Sequence, residues 1–186
     1  MLSEIVSLLN GYLNRRQIKK SNSTFGNGII CGRMKILNRG GNITVGDGYK
    51  INSGKGYNPI GGDTVCRLIC YGGKIIIGNR VGISNSTIVS RDSVTIEDDV
   101  FIGGSCKIYD NDFHPIQKEE RVSFEDRIPV KPVMIKKGAF IGAHTIILKG
   151  SMIGENSVIG AGSVVAGTIP ACEIWGGNPA HFIKKL

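Results

Sequence analysis

Residues 135–165, IKKGAFIGAHTIILKGSMIGENSVIGAGSVV, carry an aliphatic residue at every sixth position. These positions are Ile135, Ile141, Ile147, Ile153, Ile159 and Val165, and the same spacing recurs upstream at Ile77, Ile83, Val89 and at Ile96, Ile102, Ile108. Ordinary strands alternate with a period of two and end at irregular intervals, so a six-residue phase of this length favours a hexapeptide β-helix. Each hexad then forms one short strand and one turn, and three hexads close a triangular coil. Stacked coils bury the aliphatic residues as a continuous column.

The composition fits one narrow solenoid. The chain has 186 residues, which suits a single domain, and its 27 glycines suit corners that recur every six residues. The net charge is +8, from 23 Lys and Arg against 15 Asp and Glu. The basic residues are scattered and no aromatic platform for bases accompanies them, so a phosphate-bearing small molecule or plain solubility accounts for the charge as well as nucleic acid does. We expect no nucleic-acid partner.

The cysteines and the N-terminal segment indicate where the protein works and how it relates to membranes. Five cysteines, an odd number without zinc-site spacing, indicate reduced thiols and a cytoplasmic protein. Residues 1–20 have apolar positions at helical spacing and a basic end, and they predict a helix that precedes a single β-helix domain over residues 21–186. That helix could lie on a membrane surface, but we expect it to cap the solenoid. No apolar run is long enough to span a membrane.

Two segments interrupt the six-residue phase. Residues 53–73, SGKGYNPIGGDTVCRLICYGG, predict an inserted excursion or an irregular coil. Residues 109–133, YDNDFHPIQKEERVSFEDRIPVKPV, predict an extended polar loop that contains one of only three histidines. Loops of this length inside a regular domain are usually functional. One extra residue between Val89 and Ile96 predicts a bulge at a corner.

Three motifs give the sequence a family resemblance. They are the loop motif Asp110–Asn111–Asp112–Phe113–His114–Pro115, the hexads ending in Ile159–Gly160–Ala161–Gly162–Ser163–Val164–Val165, and the tail Trp175–Gly176–Gly177–Asn178–Pro179–Ala180. Together, over roughly residues 75–186, they resemble the hexapeptide acyltransferases, in particular the galactoside, maltose and nodulation-factor O-acetyltransferases and the polysaccharide acetyltransferases. The resemblance implies an all-β fold, a left-handed parallel β-helix, with acetyl-CoA as donor. It also implies a homotrimer whose active sites lie between subunits.

Acetyl transfer to a hydroxyl needs a base and a donor to the oxyanion of the tetrahedral intermediate. Histidine is the best base near neutral pH, and His114 occupies the position of the family's catalytic histidine. Asp112, Asp110 or a backbone carbonyl could orient its ring; we favour Asp112 and assign Asp110 to the sugar. The resemblance makes the backbone N–H of Ala143 the oxyanion donor. Cys106 is expected to be buried and inert, which favours direct attack over an acyl-enzyme.

The resemblance also assigns the binding residues. Small residues let the pantetheine arm approach the backbone closely, and the matching positions are Gly142, Ala143, Gly160, Ala161, Gly162, Ala166 and Gly167. Lys184 is expected at the phosphates of CoA, although Gly167 and His181 stand where related enzymes often have Lys and Arg. On the acceptor side we expect Asn85 and Arg121, together with Asp110, to contact the sugar.

The sequence leaves other functions open. N-acetylation of an amino sugar or acetylation of a drug, as in the streptogramin acetyltransferases, would use nearly the same chemistry. A non-catalytic assembly module is the less favoured class, and its metal-dependent form needs three clustered histidines, whereas His114, His144 and His181 are unsuited to one site. We therefore expect a sugar or glycan acceptor and no metal.

Overall fold

Three sheets form the walls of a triangular solenoid. The computed structural model describes residues 2–62, 65–123 and 127–186, and side chains from residue 4 onward. Strands three apart in the chain pair in parallel, so each turn of the chain adds one strand to every sheet. The chain is therefore the expected left-handed parallel β-helix with an N-terminal helix.

The sheets are named A, B and C in the order in which the chain visits them. Sheet A comprises β1 (Thr24–Phe25), β4 (Asn42–Val45), β7 (Lys74–Ile77), β10 (Ser93–Ile96), β13 (Val133–Ile135), β16 (Met152–Ile153) and β19 (Thr168–Ile169). Sheet B comprises β2 (Gly28–Gly32), β5 (Tyr49–Ser53), β8 (Gly82–Ser84), β11 (Phe101–Ile102), β14 (Phe140–Ile141), β17 (Val158–Ile159), β20 (Glu173–Gly176) and the antiparallel β21 (His181–Lys185). Sheet C comprises β3 (Lys35–Arg39), β6 (Arg67–Tyr71), β9 (Thr87–Ser90), β12 (Lys107–Tyr109), β15 (Ile146–Ile147) and β18 (Val164–Val165). The helices are α1 (Leu2–Lys20) and α2 (Lys118–Val122).

The six-residue phase distributes successive aliphatic residues over the three walls. Ile135, Ile141 and Ile147 lie on sheets A, B and C, and each is fully buried. The upstream register differs by one residue from the prediction, because Ile88, and not Val89, pairs with Ile108 in sheet C. The extra length between Ile88 and Ile96 lies in the strands, because β9 and β10 have four residues each and only residues 91 and 92 separate them, so the predicted bulge at the corner is not found.

The segment 53–73 is only partly an excursion. Residues 67–71 form the regular strand β6, which pairs with β3 and β9 and buries Leu68 and Cys70. The prediction of an irregular coil was wrong for these residues, because Leu68 and Cys70 fill the core where the six-residue pattern has Ile and Val. The excursion itself is limited to residues 54–66, of which 63 and 64 lie outside the described residues.

Helix α1 closes the first coil with polar side chains. The Asn14 amide donates to the carbonyl of Gly32 at 2.9 Å and accepts from the N–H of Met34 at 3.2 Å. Gln17 makes the same kind of pair, donating to the Met34 carbonyl at 3.2 Å and accepting from the Ile36 N–H at 2.9 Å. These amides satisfy backbone groups at the edge of the first coil that would otherwise invite another strand. Neither helix in the described part of the chain has the length and apolar character that crossing a bilayer requires.

Candidate active site

The long loop leaves the solenoid at the corner between sheets C and A. It spans residues 110–132, between β12 and β13, as predicted, and contains α2; residues 124–126 lie outside the described residues. An antiparallel bridge between Asn111 and Val130 joins its two ends. The hydrogen bond from the Lys131 N–H to the Asp110 carbonyl, at 2.9 Å, closes the loop at its base. The loop is therefore anchored where it leaves the β-helix.

Asp110 is a structural residue at the base of this loop. It is fully buried, and its carboxylate accepts hydrogen bonds from the Ser90 hydroxyl, the N–H groups of Arg91 and Asp92, and the Asn111 amide, at 2.8–3.1 Å. Both carboxylate oxygens are turned inward and accept hydrogen bonds from the chain itself, and the expected contact of Asp110 with the sugar stays a prediction. The carboxylate ties the loop to the preceding corner of the solenoid.

His114 lies exposed on the outer part of the loop. Phe113, just before it, has a left-handed backbone (φ 63°) and packs edge-on against Tyr109, with ring centroids 5.1 Å apart. After it, the Arg121 guanidinium donates to the carbonyls of Pro115, at 3.2 Å, and Ile116. Arg121 thus holds the backbone that follows His114, and its expected contact with the acceptor stays a prediction.

Asp112 is joined to Lys149, and no hydrogen bond joins it to His114 among the described residues. The Lys149 ammonium lies 2.8 Å from Oδ1 of Asp112, while Oδ2 is buried without a hydrogen-bond partner in the described part of the chain. Lys149 belongs to the next coil, so this ion pair fastens the loop against the wall above it. The expected role of Asp112 in orienting the imidazole stays a prediction.

The expected donor-side residues line the corner between sheets B and C. Gly142 and Ala143 form this corner in one coil, and Gly160, Ala161 and Gly162 form it in the next. The Gly142 N–H donates to the Ile159 carbonyl and the Ala143 carbonyl accepts from the Gly162 N–H, each at 2.8 Å. Within residues 2–62, 65–123 and 127–186, the Ala143 N–H donates no hydrogen bond. It is therefore available to an oxygen from outside the chain.

Glycine is required at one of these corner positions and not at the other. A Cβ at Gly142 would lie 2.5 Å from the backbone nitrogen of Ala161, whereas a Cβ at Gly160 would have no neighbour nearer than 3.6 Å. We expect Gly142→Ala to lower the free energy of unfolding by about 1–3 kcal/mol, because the two coils must separate, and Gly160→Ala to change it by less than about 0.5 kcal/mol. Denaturant unfolding of both variants tests this, and equal stabilities would contradict the close stacking at Gly142.

The excursion 54–66 covers the same corner one coil below Ala143. The Ser105 hydroxyl donates to the Gly61 carbonyl at 2.7 Å, and Asn85 accepts from the Gly54 N–H at 2.7 Å. Asn85 is fully buried beneath the excursion, and its expected contact with the sugar stays a prediction. The described residues 54–62 lie against this corner, a contribution that the sequence pattern did not reveal.

The expected site residues fall into two groups on opposite edges of sheet C. The donor-side group, Gly142, Ala143, Gly160, Ala161 and Gly162, lies where the chain enters sheet C, and the loop with His114 lies where it leaves. Ala166 and Gly167, expected beside the donor-side group, lie at the loop edge instead. The five residues that separate the two corners of one coil span roughly 16 Å at about 3.3 Å per residue. The base of the loop that carries His114 and the corner that contains Ala143 therefore lie at opposite edges of sheet C.

The tail adds a further strand beyond the last coil. In β21, His181 lies opposite Gly176 at the edge of the donor-side group, and Lys184 lies opposite Ile174, further along sheet B. Trp175 donates to the Glu173 carboxylate at 2.8 Å and packs edge-on against Phe182, so it belongs to the end of the solenoid. Lys184 is exposed, and its expected contact with the phosphates of CoA stays a prediction.

A covalent route through Cys106 is disfavoured. The side chain is fully buried, its thiol lies 3.2 Å from the Gly142 carbonyl, and burial raises the pKa of the thiol above its ordinary value. His144 is exposed at a left-handed corner position (φ 62°). Among the described residues no three His, Cys, Asp or Glu side chains form a group that could hold a metal ion.

Comparisons with known proteins agree with this architecture. The family model described as bacterial transferase hexapeptide (six repeats) matches residues 132–167. A hexapeptide-repeat acetyltransferase from Vibrio cholerae is 29% identical with a TM-score of 0.60, over 76% of this chain and 73% of that one. A maltose O-acetyltransferase from Clostridium difficile is 26% identical with a TM-score of 0.61, over 99% and 83%. An N-acyltransferase from Bacillus cereus, in complex with dTDP and coenzyme A, is 25% identical with a TM-score of 0.69, over 92% and 89%. No protein of curated function matches the sequence.

Proposed function

We propose that this chain, an acyltransferase built from hexapeptide repeats, transfers an acetyl group from acetyl-CoA to a hydroxyl of a sugar or glycan building block. The observation that carries the proposal is an exposed histidine on an anchored loop that interrupts an otherwise regular hexapeptide solenoid. The similarity to a maltose O-acetyltransferase supports a sugar hydroxyl as the acceptor.

The donor groove would be the corner between sheets B and C. Gly142, Ala143 and Gly160 to Gly162 present backbone with little side-chain cover, which allows a thioester arm to lie against the corner. The Ala143 N–H would donate to the oxygen that becomes negative as the thioester carbonyl turns tetrahedral. Such a donor contributes about 3–4 kcal/mol to the stability of the transition state.

His114 would act as the general base. Its imidazole takes the proton of the acceptor hydroxyl as that oxygen attacks the thioester carbonyl. When the C–S bond breaks, the imidazolium returns the proton to the departing thiolate, so atoms and charge balance without an acyl-enzyme. The contacts of Arg121 to the Pro115 and Ile116 carbonyls, and the ion pair between Asp112 and Lys149, limit the movement of the loop that carries His114.

The complete site would form between copies in a homotrimer. His114 and Ala143 lie on opposite edges of sheet C, so a second copy must present one of them to the other. Sheet B offers an apolar surface for such packing, because Phe101 and Phe140 are register neighbours with 58% and 49% of their surface exposed. When one edge of each copy contacts a different edge of the next copy, three copies related by a three-fold rotation form a closed ring.

N-acylation of an amino sugar is the second candidate. It is favoured by the similarity to an N-acyltransferase whose complex contains dTDP, which points to a nucleotide-linked acceptor. The roles of His114 and Ala143 would not change, since a neutral amine that attacks the thioester also loses a proton to the base.

Release of free thiol from acetyl-CoA over a panel of sugars, glycan fragments and nucleotide-linked amino sugars tests the function. We expect turnover with one acceptor class, and the position of the new acetyl group separates O-transfer from N-transfer. The absence of transfer to any hydroxyl or amine acceptor, together with the absence of CoA binding, would contradict the proposal.

Mixing two inactive variants tests the shared site. His114→Ala lacks the base, and Gly142→Ala disturbs the corner between sheets B and C that contains Ala143, here called the donor corner. If each site takes His114 from one subunit and the Ala143 corner from its neighbour, a trimer that contains both variants has some interfaces where both parts are intact. After subunit exchange, the mixture should therefore regain about a quarter to a third of the native activity. A mixture that stays inactive after demonstrated subunit exchange would place both parts within one chain.

A further inference from the structure

Helix α1 meets the solenoid mainly through the polar side chains of its second half and leaves large apolar side chains open to solvent. Asn14, which pairs with the edge of the first coil, is 2% exposed. On the outer side, Leu8 and Leu9 are 73% and 54% exposed, and Ile5 and Tyr12 are similarly open, at 56% and 57%. This is the reverse of a surface helix that packs on a hydrophobic core. An outward face of this kind marks an interaction site.

The second half of the same outward face is basic. Arg15, Arg16, Lys19 and Lys20 are all exposed, and the acidic residue of the first turn, Glu4, lies at the far end of the helix. At about 100° per residue, Arg16 and Lys19 project in nearly the same direction as Ile5 and Tyr12. Apolar and basic side chains therefore share one face, with the apolar half first and the basic half after it.

The position of α1 leaves this face accessible. The helix contacts β1, β2 and β3, which are the first strands of the three sheets, so it lies across the end of the solenoid. Copies that pack side by side through the sheets would not cover this end. The outward face therefore points along the axis of the solenoid, several coils away from the loop and the donor corner.

We propose that the outward face of α1 docks the protein on an anionic membrane surface. The side chains of Ile5, Leu8, Leu9 and Tyr12 would enter the boundary between headgroups and acyl chains, while the basic half would meet lipid phosphates. Charge complementarity favours an anionic bilayer as the occupant, because a bilayer meets the apolar half and the four exposed cations of the basic half at the same time, whereas a second copy brings no negative charge to those cations. In an assembly of three parallel copies all three helices would face the same bilayer, so their weak affinities would combine.

Co-sedimentation of the full-length protein with vesicles tests the proposal. We expect binding to equimolar phosphatidylcholine and phosphatidylglycerol, weak binding to phosphatidylcholine alone, and release as the salt concentration rises. Arg16→Gln with Lys20→Gln should weaken binding about 30-fold, at about 1 kcal/mol for each charge. Leu8→Ser with Leu9→Ser should weaken it at least about tenfold.

Matched variants away from the helix provide the controls. Lys50→Gln with Lys74→Gln removes two exposed charges from sheets B and A, and Ile60→Ser removes an apolar side chain that is 60% exposed; both should bind vesicles as the native protein does. Unchanged binding of the α1 variants, or no preference for anionic vesicles, would overturn the proposal. If the leucine variant instead changes the molecular mass in vesicle-free solution and the native protein ignores vesicles, the occupant is a second copy and the membrane is excluded.

Discussion

Replacement of His114 by alanine is expected to lower kcat/KM for acetyl transfer about 100- to 10,000-fold, the usual contribution of a positioned general base. This corresponds to a loss of about 2.7–5.5 kcal/mol of transition-state stabilisation. The side chain is exposed, so its removal should leave the free energy of unfolding nearly unchanged. Steady-state kinetics with the best acceptor, together with denaturant unfolding of the same preparation, measure the two quantities.

Lys118→Ala supplies the matched control for this loop. Lys118 is exposed at the start of α2, so its removal should change kcat/KM less than about threefold. An asparagine at position 114 can accept a hydrogen bond from the acceptor hydroxyl but does not take up its proton near neutral pH, so it should be as inactive as alanine. Full activity of His114→Ala would remove the histidine from the proposed mechanism.

Replacement of Asp110 by asparagine is expected to lower the free energy of unfolding by about 3–5 kcal/mol. The carboxylate accepts from the Ser90 hydroxyl and from two backbone N–H groups, and an amide nitrogen in place of Oδ2 would face those donors with a donor of its own. The loss should appear as a lower denaturant midpoint and as easier proteolysis within residues 110–132, because Asp110 ties the loop to the solenoid.

Asp47→Asn is the control for that substitution. The Asp47 carboxylate accepts a single backbone hydrogen bond, from the Asn27 N–H at 2.7 Å, at an exposed corner. Since water can replace this bond, we expect a change below about 1 kcal/mol. An Asp110→Asn protein as stable as Asp47→Asn would show that the buried carboxylate is not what holds the loop.

The coil architecture was predictable because each hexad repeats one physical requirement, an aliphatic side chain pointing inward after a tight corner. The prediction failed where another residue met that requirement. Leu68 and Cys70 fill the core of β6 without the expected pattern, and Ile88 takes the place assigned to its neighbour Val89. Ile88 and Val89 are adjacent and both apolar, so the sequence does not show which of them points into the column. The register of pairing between coils decides this.

The site was predictable as a loop and as a set of small corner residues, but the direction of individual side chains was not. Asp110 and Asp112 are two residues apart and equally polar, yet one is fully buried and the other forms an ion pair with Lys149. The sequence predicts Asn85 as an exposed corner residue, but in the structure it is buried beneath the excursion that begins at Gly54. These outcomes depend on contacts between segments that are distant in the chain.

The six-residue phase by itself determined the β-helix, because side chains one coil apart stack in register whatever lies between them. The sequence likewise determined that a polar loop with a histidine leaves the solenoid between β12 and β13. Only the tertiary structure decided that His114 and Ala143 lie on opposite edges of sheet C, and that α1 presents its apolar side outward. The physical reason is that a triangular coil separates residues a few positions apart onto different edges. Each edge can face solvent, a loop or a second copy. Which of these it faces depends on packing between distant segments, which no local sequence pattern encodes.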